Sequence, residues 1–203
     1  TIGGLAVNAA TVIRDQRRTR AAFARFLPAT LIDRVIERAS GADGIPGERR
    51  YATVLFADLR GFTAAVEQLP PETVIELLNR YLTEIGDAVL DSGGTIVSYQ
   101  GDGLMAVFGA PLEQADHADR ALAAARDIRD NRLPAFNTWA ADHGVGTSFE
   151  AGIGIASGPV MSGTVGSSRR MEYATVGDTT NAAARLQGLS KETPHTVLIA
   201  DST

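Results

Sequence analysis

The chain has 203 residues, of which 44% are hydrophobic and 21% are charged, which is enough apolar material for one globular domain with an appendage. It contains no cysteine, so disulfides, thiolate metal ligands and cysteine nucleophiles are excluded. The net charge is −5, and the first fifty residues carry nine Arg against five acidic residues. A basic leader before an acidic domain argues against nucleic-acid binding.

The first 48 residues predict a helical linker outside the main domain. Residues 11–27 are polar and compatible with a helix, and Pro28 can occupy the first turn of a second helix with one apolar stripe. The Gly- and Pro-rich segment 40–48 then marks a boundary. Two interpretations stay open: a packed or coiled appendage, or a linker from an upstream sensor or membrane domain.

Strands and helices alternate in the domain that starts at residue 49. Strands are predicted at 51–58, 95–100 and 103–109 from their apolar patterns. Apolar residues at helical spacing predict a helix over 71–91, which ends at a Gly-Gly pair. The predicted buried face of this helix consists of Val74, Leu77, Leu78, Tyr81, Leu82, Ile85 and Val89.

The second half predicts a helical region over 113–143 with a start or kink at Pro134, and then a strand hairpin over 147–166. A short helix containing TTNAAARLQGLS and a last strand at 196–201 follow. This order predicts an α+β fold of ferredoxin-like type, an antiparallel sheet with helices on one face.

Two aspartates are candidates for a metal site. Asp58 ends the first predicted strand, and Asp102 lies in the turn between the second and third. Each aspartate alone is better explained as a turn or cap residue. Neighbouring strand ends would bring both carboxylates together, where a divalent cation relieves their repulsion. Oxygen ligands suit Mg²⁺ or Mn²⁺, with phosphates completing the coordination.

The turn LRGFT that follows Asp58 is a candidate phosphate-binding segment. Gly61 permits close approach of a ligand to the backbone. The amides of Arg60, Gly61, Phe62 and Thr63 lead into a predicted helix N-terminus, which attracts anions. An ordinary strand-to-helix turn is the alternative interpretation.

Asn181 and Arg185 lie four residues apart in VGDTTNAAARL, so they share one face of the predicted helix. An amide beside a guanidinium suits a phosphate or a developing negative charge. Taken alone, the pair is better explained as part of a solvated helix face.

FADLRGFT, YQGDGLMAVFGAP and GTVGSSRRMEYATVGDTTNAAARL, in this order and spacing, resemble the class III nucleotidyl cyclases. The resemblance covers roughly residues 50–203, and the leader RAAFARFLPATLIDRVIE resembles the segment that precedes such domains in bacterial multidomain cyclases. It implies a palm-type cyclase catalytic domain at 49–203. From the resemblance we also expect a final hairpin with a phosphate-binding lysine, which the family usually carries after the segment that corresponds to IADST.

The resemblance also implies roles for individual residues. Asp58 and Asp102 would hold two metal ions, Mg²⁺ or Mn²⁺, with the Leu59 carbonyl as a further ligand. Asn181 would orient the ribose and Arg185 would stabilise the transition state, both acting from the opposite subunit of a head-to-tail homodimer.

The positions that read the purine depart from the family pattern. Adenylyl cyclases place a lysine four residues before the second metal aspartate, and an Asp or Thr seven residues before the asparagine. This chain has Ser98 and Ala174 there, and its only lysine, Lys191, lies elsewhere in the sequence. Thr175 is one residue out of register and belongs to the other face of its strand. We therefore expect weakened selectivity between ATP and GTP.

The function predicted from these features is a cytoplasmic, metal-dependent adenylate cyclase that converts ATP to cyclic AMP and pyrophosphate. One alternative is a weakly active or inactive nucleotide-binding module that regulates an attached domain. Another is a cyclase with relaxed selectivity for ATP and GTP. A diguanylate cyclase is disfavoured, because the chain has no GG[DE]EF-type signature.

Overall fold

The computed structural model describes residues 46–67, 69–167 and 170–203, so the predicted linker helices at 11–39 lie outside the described residues. The strands are β1 (Glu48–Leu59), β2 (Thr95–Gln100), β3 (Gly103–Phe108), β4 (Ala151–Ser167), β5 (Arg170–Val176) and β6 (Val197–Ile199). The helices are α1 (Phe62–Val66), α2 (Pro71–Asp91), α3 (His117–Asp127), α4 (Leu133–Asp142) and α5 (Asp178–Ser190). Within the described ranges, none of these helices has the length and apolar character needed to cross a bilayer.

One mixed sheet organises the domain and has the strand order β2-β3-β1-β4-β5. All neighbours along this path are antiparallel, and β6 adds to β4 in parallel. The predicted α+β fold with an antiparallel sheet is confirmed. Because β1 is central, the residue at its end lies beside the β2–β3 turn.

Helices α2, α3 and α4 cover one face of the sheet. On the predicted apolar face of α2, Leu77, Tyr81, Ile85 and Val89 are buried, and the other three residues pack against the same core. The kink expected near Pro134 is a π-helical turn over Ile128–Arg132 between α3 and α4. Proline lacks an amide hydrogen, so it fits the first turn of α4.

Helix α5 packs on the opposite face, so the expectation of helices on one face only is wrong. It lies against β4 where Gly152, Gly154 and Gly158 replace the side chains that would point toward it. An apolar cluster fills the remainder of this face: Ala52, Val54, Met105, Val107, Ala110, Ala156, Val160 and Ala183. The alternating glycines let the helix backbone approach the strand closely.

The predicted hairpin over 147–166 is also wrong, because β4 is one continuous strand. The dipeptide Gly158-Pro159 resembles a turn signal but lies within the strand. On one side, Pro159 pairs with Tyr51 of β1. On the other side, β6 pairs with 153–155 and β5 with 161–167. Proline is tolerated in this gap, where no second ladder requires its amide.

We predict that Gly154→Ala destabilises the domain by about 3 kcal/mol or more. A Cβ at this position would lie 2.2 Å from the Ala183 carbonyl oxygen and 2.3 Å from the Gln187 amide nitrogen, and neither backbone atom can rotate away. Gly188→Ala is the matched control, because nothing lies within 4 Å of a Cβ there and alanine favours a helix over glycine. Urea unfolding would contradict the prediction if both variants matched the wild type.

Candidate active site

The two predicted metal carboxylates meet at one edge of the sheet. Asp58 follows Ala57, which pairs with Leu104, and Asp102 lies in the turn that closes the Gln100–Gly103 pair. A Cβ built on Gly103 would lie 3.5 Å from Asp58 Oδ1, so Asp58 reaches over the start of β3. The predicted convergence of the two carboxylates is confirmed.

The local electrostatics reflect this proximity. Burial raises the pKa of Asp102 above its ordinary value, and the charge of Asp58 and their side-chain contact raise it further. Tyr81 of α2 is fully buried nearby, and its hydroxyl finds no hydrogen-bond partner among the described residues. Burial raises the pKa of this phenol, and the charges of Asp58 and Asp102 add to the effect. Negative charge is therefore concentrated at this edge, a condition that favours cation binding.

The donor set fits Mg²⁺ or Mn²⁺. Two carboxylates, which supply hard oxygen ligands, converge at this edge of the sheet. In the described part of the chain, no cluster of three or more His, Cys, Asp or Glu side chains could hold a metal alone. Further ligands would come from the Leu59 carbonyl and from nucleotide phosphates.

Two residues that the sequence did not indicate also contact Asp58. Lys191 Nζ lies 2.8 Å from Asp58 Oδ2, and Gln187 Nε2 lies 3.4 Å from the same oxygen. Lys191, which lies far from the predicted site residues in the sequence, therefore belongs to this site. The spacing of four between Gln187 and Lys191 predicts that they share one helix face. Only the contact of α5 with the end of β1 shows that this face is directed at Asp58.

A cavity of about 130 Å³ opens beside the carboxylates. Its lining is Phe56, Ala57, Asp58, Gln100, Gly103, Leu104 and Gln187. The two glutamine amides bring both donors and acceptors to its wall. The cavity therefore places neutral polar groups next to the charged edge.

The turn after Asp58 forms as predicted, with one correction. Gly61 has φ +70° and precedes α1, a conformation that favours glycine. Arg60, however, is committed elsewhere: its amide donates to the Glu150 carbonyl at 2.8 Å, and its guanidinium donates to the Glu150 carboxylate and to the carbonyls of Ser190 and His195. It braces the end of α5 and does not face a phosphate.

The phosphate prediction consequently rests on the remaining three residues of the turn. The Phe62 side chain is buried, with its ring centroid 6.0 Å from that of Phe149, so only its backbone can meet a ligand. Gly61 and Thr63 are exposed. The amides of a first helical turn have no partner within the helix. Phosphate binding by these three residues stays a prediction.

Asn181 and Arg185 are exposed on α5 and share a face, as predicted. Arg185 Nε donates to the Asn181 carbonyl at 3.3 Å. A helix turns by about 100° per residue, so Arg185 points about 160° away from Gln187, which contacts Asp58. The pair therefore faces away from the carboxylates of its own subunit.

The two purine positions differ in their relation to the apolar cluster. Ser98 pairs with Met105, a member of that cluster, and accepts a hydrogen bond from Gln100 Nε2 at 3.3 Å. Tyr173, which precedes Ala174 in β5, packs against the cluster, so Ala174 points to the other side of the strand. Ala174 pairs with Gly163 in β5.

Thr175 does not replace the missing reader. Its side chain is buried, and its hydroxyl lies 2.8 Å from that of Ser162. As the next residue along β5, it points to the other side of the strand from Ala174. The unusual pair Ser98 and Ala174 therefore stands without local compensation from this threonine.

Comparison with known proteins identifies the family. The family model described as "Adenylate and Guanylate cyclase catalytic domain" matches residues 47–203. The chain belongs to this family. The resemblance noted from the sequence motifs is thereby confirmed.

The similar solved structures of cyclase domains include both nucleotide specificities. The guanylyl cyclase Cya2 is 39% identical, with a TM-score of 0.67 over 71% of this chain and 72% of that one. The adenylyl cyclase CyaB from P. aeruginosa is 31% identical, with a TM-score of 0.72 over 77% of this chain and 80% of that one. Adenylyl cyclases and guanylyl cyclases thus share this fold and this family.

Longer relatives also contain this cyclase domain. An uncharacterized protein of Mycobacterium tuberculosis (strain ATCC 25618 / H37Rv) is 35% identical over 196 residues, which are 94% of this chain and 31% of the relative. The chain therefore spans about a third of the length of the curated relatives that it matches.

Proposed function

We propose that this domain is an adenylate cyclase that forms cyclic AMP and pyrophosphate from ATP at a homodimer interface, with two Mg²⁺ or Mn²⁺ ions per site. One observation carries the proposal. Asp58 and Asp102 converge, whereas Asn181 and Arg185 lie on the face of α5 directed away from them. A complete site then needs the carboxylates of one copy and α5 of another.

The chemistry follows from these positions. Bound metal ions would lower the pKa of the ribose 3′-hydroxyl and neutralise charge on the polyphosphate. Asp58 and Asp102 would hold these ions at the end of β1. Asn181 would fix the ribose by hydrogen bonds, and Arg185 would meet the charge that develops on the α-phosphoryl group. The protein needs no nucleophile of its own, because the substrate supplies the attacking oxygen.

Exposed apolar residues support the dimer. Met161 and Val176 are a cross-strand pair of β4 and β5, and Val165 lies on the same face of β4. These three side chains are 48%, 55% and 62% exposed. Apolar residues gathered on one exposed face are typical of an interaction surface. A two-fold dimer would bury the same face on both copies and form two sites.

A direct assay tests the proposed activity. Purified protein with Mn²⁺ and either ATP or GTP should release a cyclic nucleotide, and ATP should be the better substrate. Release of no cyclic product from either nucleotide would favour the alternative, a regulatory module. Bound nucleotide without turnover would then be its expected signature, and the atypical Ser98 and Ala174 are the observation that keeps this alternative open.

Purine selectivity gives a further prediction. Loss of a buried hydrogen bond is worth about 1–3 kcal/mol, so two missing reader contacts reduce discrimination by about tenfold each. We expect a smaller ATP preference than a Lys–Thr pair would give. Ser98→Lys combined with Ala174→Thr should raise kcat/KM for ATP relative to GTP. The two changes should be non-additive, because each introduced group needs the other or the base as a partner.

The single substitutions are the controls for this experiment. The measurement is kcat/KM for both nucleotides in the wild type, each single variant and the double variant. A wild type that already excludes GTP strongly, together with a double variant that gains nothing, would show that other groups read the purine.

A further inference from the structure

The only lysine of the chain lies on a carboxylate that the proposed function assigns to metal. Lys191 Nζ is 2.8 Å from Asp58 Oδ2, while Asp58 Oδ1 faces Gly103 at the start of β3. Gln187 adds a neutral contact to Oδ2 at 3.4 Å. The ammonium group therefore occupies an oxygen that a divalent cation would need.

The backbone that presents this lysine is braced against β1. The Arg60 guanidinium donates to the carbonyls of Ser190 and His195, on either side of Lys191 in sequence. The Lys191 amide donates to the Gly188 carbonyl at 3.1 Å. Arg60 follows Asp58 by two residues, so the backbone that carries Lys191 is held next to the carboxylate that its ammonium group contacts.

An ammonium group and a divalent cation that both contact one carboxylate oxygen repel each other, so each weakens the binding of the other. The Lys191 side chain is 49% exposed, so its long stem can swing into solvent when Asp58 takes another cation. Exchange then costs one partly exposed ion pair, which is a weak interaction. Together with residual repulsion, we expect a penalty of about three- to tenfold in metal affinity.

We infer that Lys191 is a resident counter-ion that competes with divalent metal for Asp58 and sets the metal concentration at which the site loads. This inference rests on the proposed metal site. In the metal-free domain the ammonium compensates two adjacent carboxylates. Metal loading is then an exchange of cations and depends on the charge of a single side chain.

The test is Mn²⁺ binding by nucleotide-free protein, followed by the electron paramagnetic resonance signal of free Mn²⁺. Lys191→Ala should bind Mn²⁺ about three- to tenfold more tightly than the wild type. Gln187→Ala, which removes the neutral contact to the same oxygen, should shift the affinity by less than about twofold. Arg126→Ala removes an exposed positive charge on α3 and should leave the affinity unchanged. Thermal unfolding verifies that each variant is folded.

The outcomes separate this inference from the proposed function. Equal affinity in the wild type and Lys191→Ala, with binding lost in Asp58→Ala, would overturn the counter-ion and leave the metal site standing. Undiminished Mn²⁺ binding by Asp58→Ala would overturn both. An affinity gain in Lys191→Ala that shrinks at about 0.5 M salt supports charge competition, because salt screens it. A gain unaffected by salt contradicts it.

Discussion

Asp58→Ala and Asp102→Ala should each lower cyclic-nucleotide formation by about 10³-fold or more. Bound metal stabilises the transition state by several kcal/mol, and each 1.4 kcal/mol corresponds to about tenfold in rate. Both carboxylates contribute to one cation site, so loss of either should remove most of the effect. The measurement is the initial rate of product formation with Mg²⁺ and saturating nucleotide.

The variants should remain folded, which separates chemistry from stability. Removing one of two adjacent carboxylates relieves their repulsion. The Lys191 ammonium that loses its partner in Asp58→Ala is half-exposed and stays hydrated. Asp142→Ala, at an exposed carboxylate at the end of α4, is the control and should retain full activity. Wild-type rates in either site variant would refute the two-metal assignment.

A mixture of two inactive proteins should regain activity. Asp58→Ala and Arg185→Ala are each expected to be inactive alone, because every site in either homodimer lacks one essential residue. In a mixed dimer, one of the two sites combines an intact carboxylate pair with an intact α5. If subunits exchange freely in an equal mixture, half of the dimers are mixed, so about a quarter of the wild-type rate should return.

The control for this mixture uses two variants of the same half-site. Asp58→Ala mixed with Asp102→Ala should recover nothing, because each site of their mixed dimer lacks one carboxylate. Native mass spectrometry establishes that subunits exchange. If exchange is demonstrated and the first mixture stays inactive, the catalytic residues are not shared between subunits.

The sequence predicted those elements of the fold whose ends carry strong local signals. Helix α2 begins and ends at the predicted residues, because a proline opens it and a glycine pair follows it. The wrong prediction of a hairpin over 147–166 came from Gly158-Pro159. These residue types are typical of turns, but here both are explained by contacts with distant parts of the chain. Gly158 makes room for Thr179, and Pro159 occupies a gap between two strand partners. These are contacts between distant segments, which periodicity cannot reveal.

The candidate site likewise contains features that local sequence predicted and features that it did not. The meeting of Asp58 and Asp102 followed from strand ends in a sheet, and the shared face of Asn181 and Arg185 followed from helical spacing. The contact of Lys191 with Asp58 joins residues 133 positions apart. Local sequence does not indicate which face of α5 contacts the sheet, nor that Arg60 holds the end of this helix. Both features depend on which side of the sheet the helix occupies.

Helix α5 is anchored at both ends. Thr179 Oγ1 donates to the Pro159 carbonyl at 2.9 Å near its start, and the Arg60 guanidinium donates to the Ser190 carbonyl at its end. In the proposed dimer, one face of this helix contacts Asp58 of its own subunit, and the opposite face serves the site of the partner. A rotation of α5 about its axis would move Lys191 and Arg185 together. The two active sites of the dimer would thus be coupled, because a ligand that rotates one α5 helix would change the geometry of both sites.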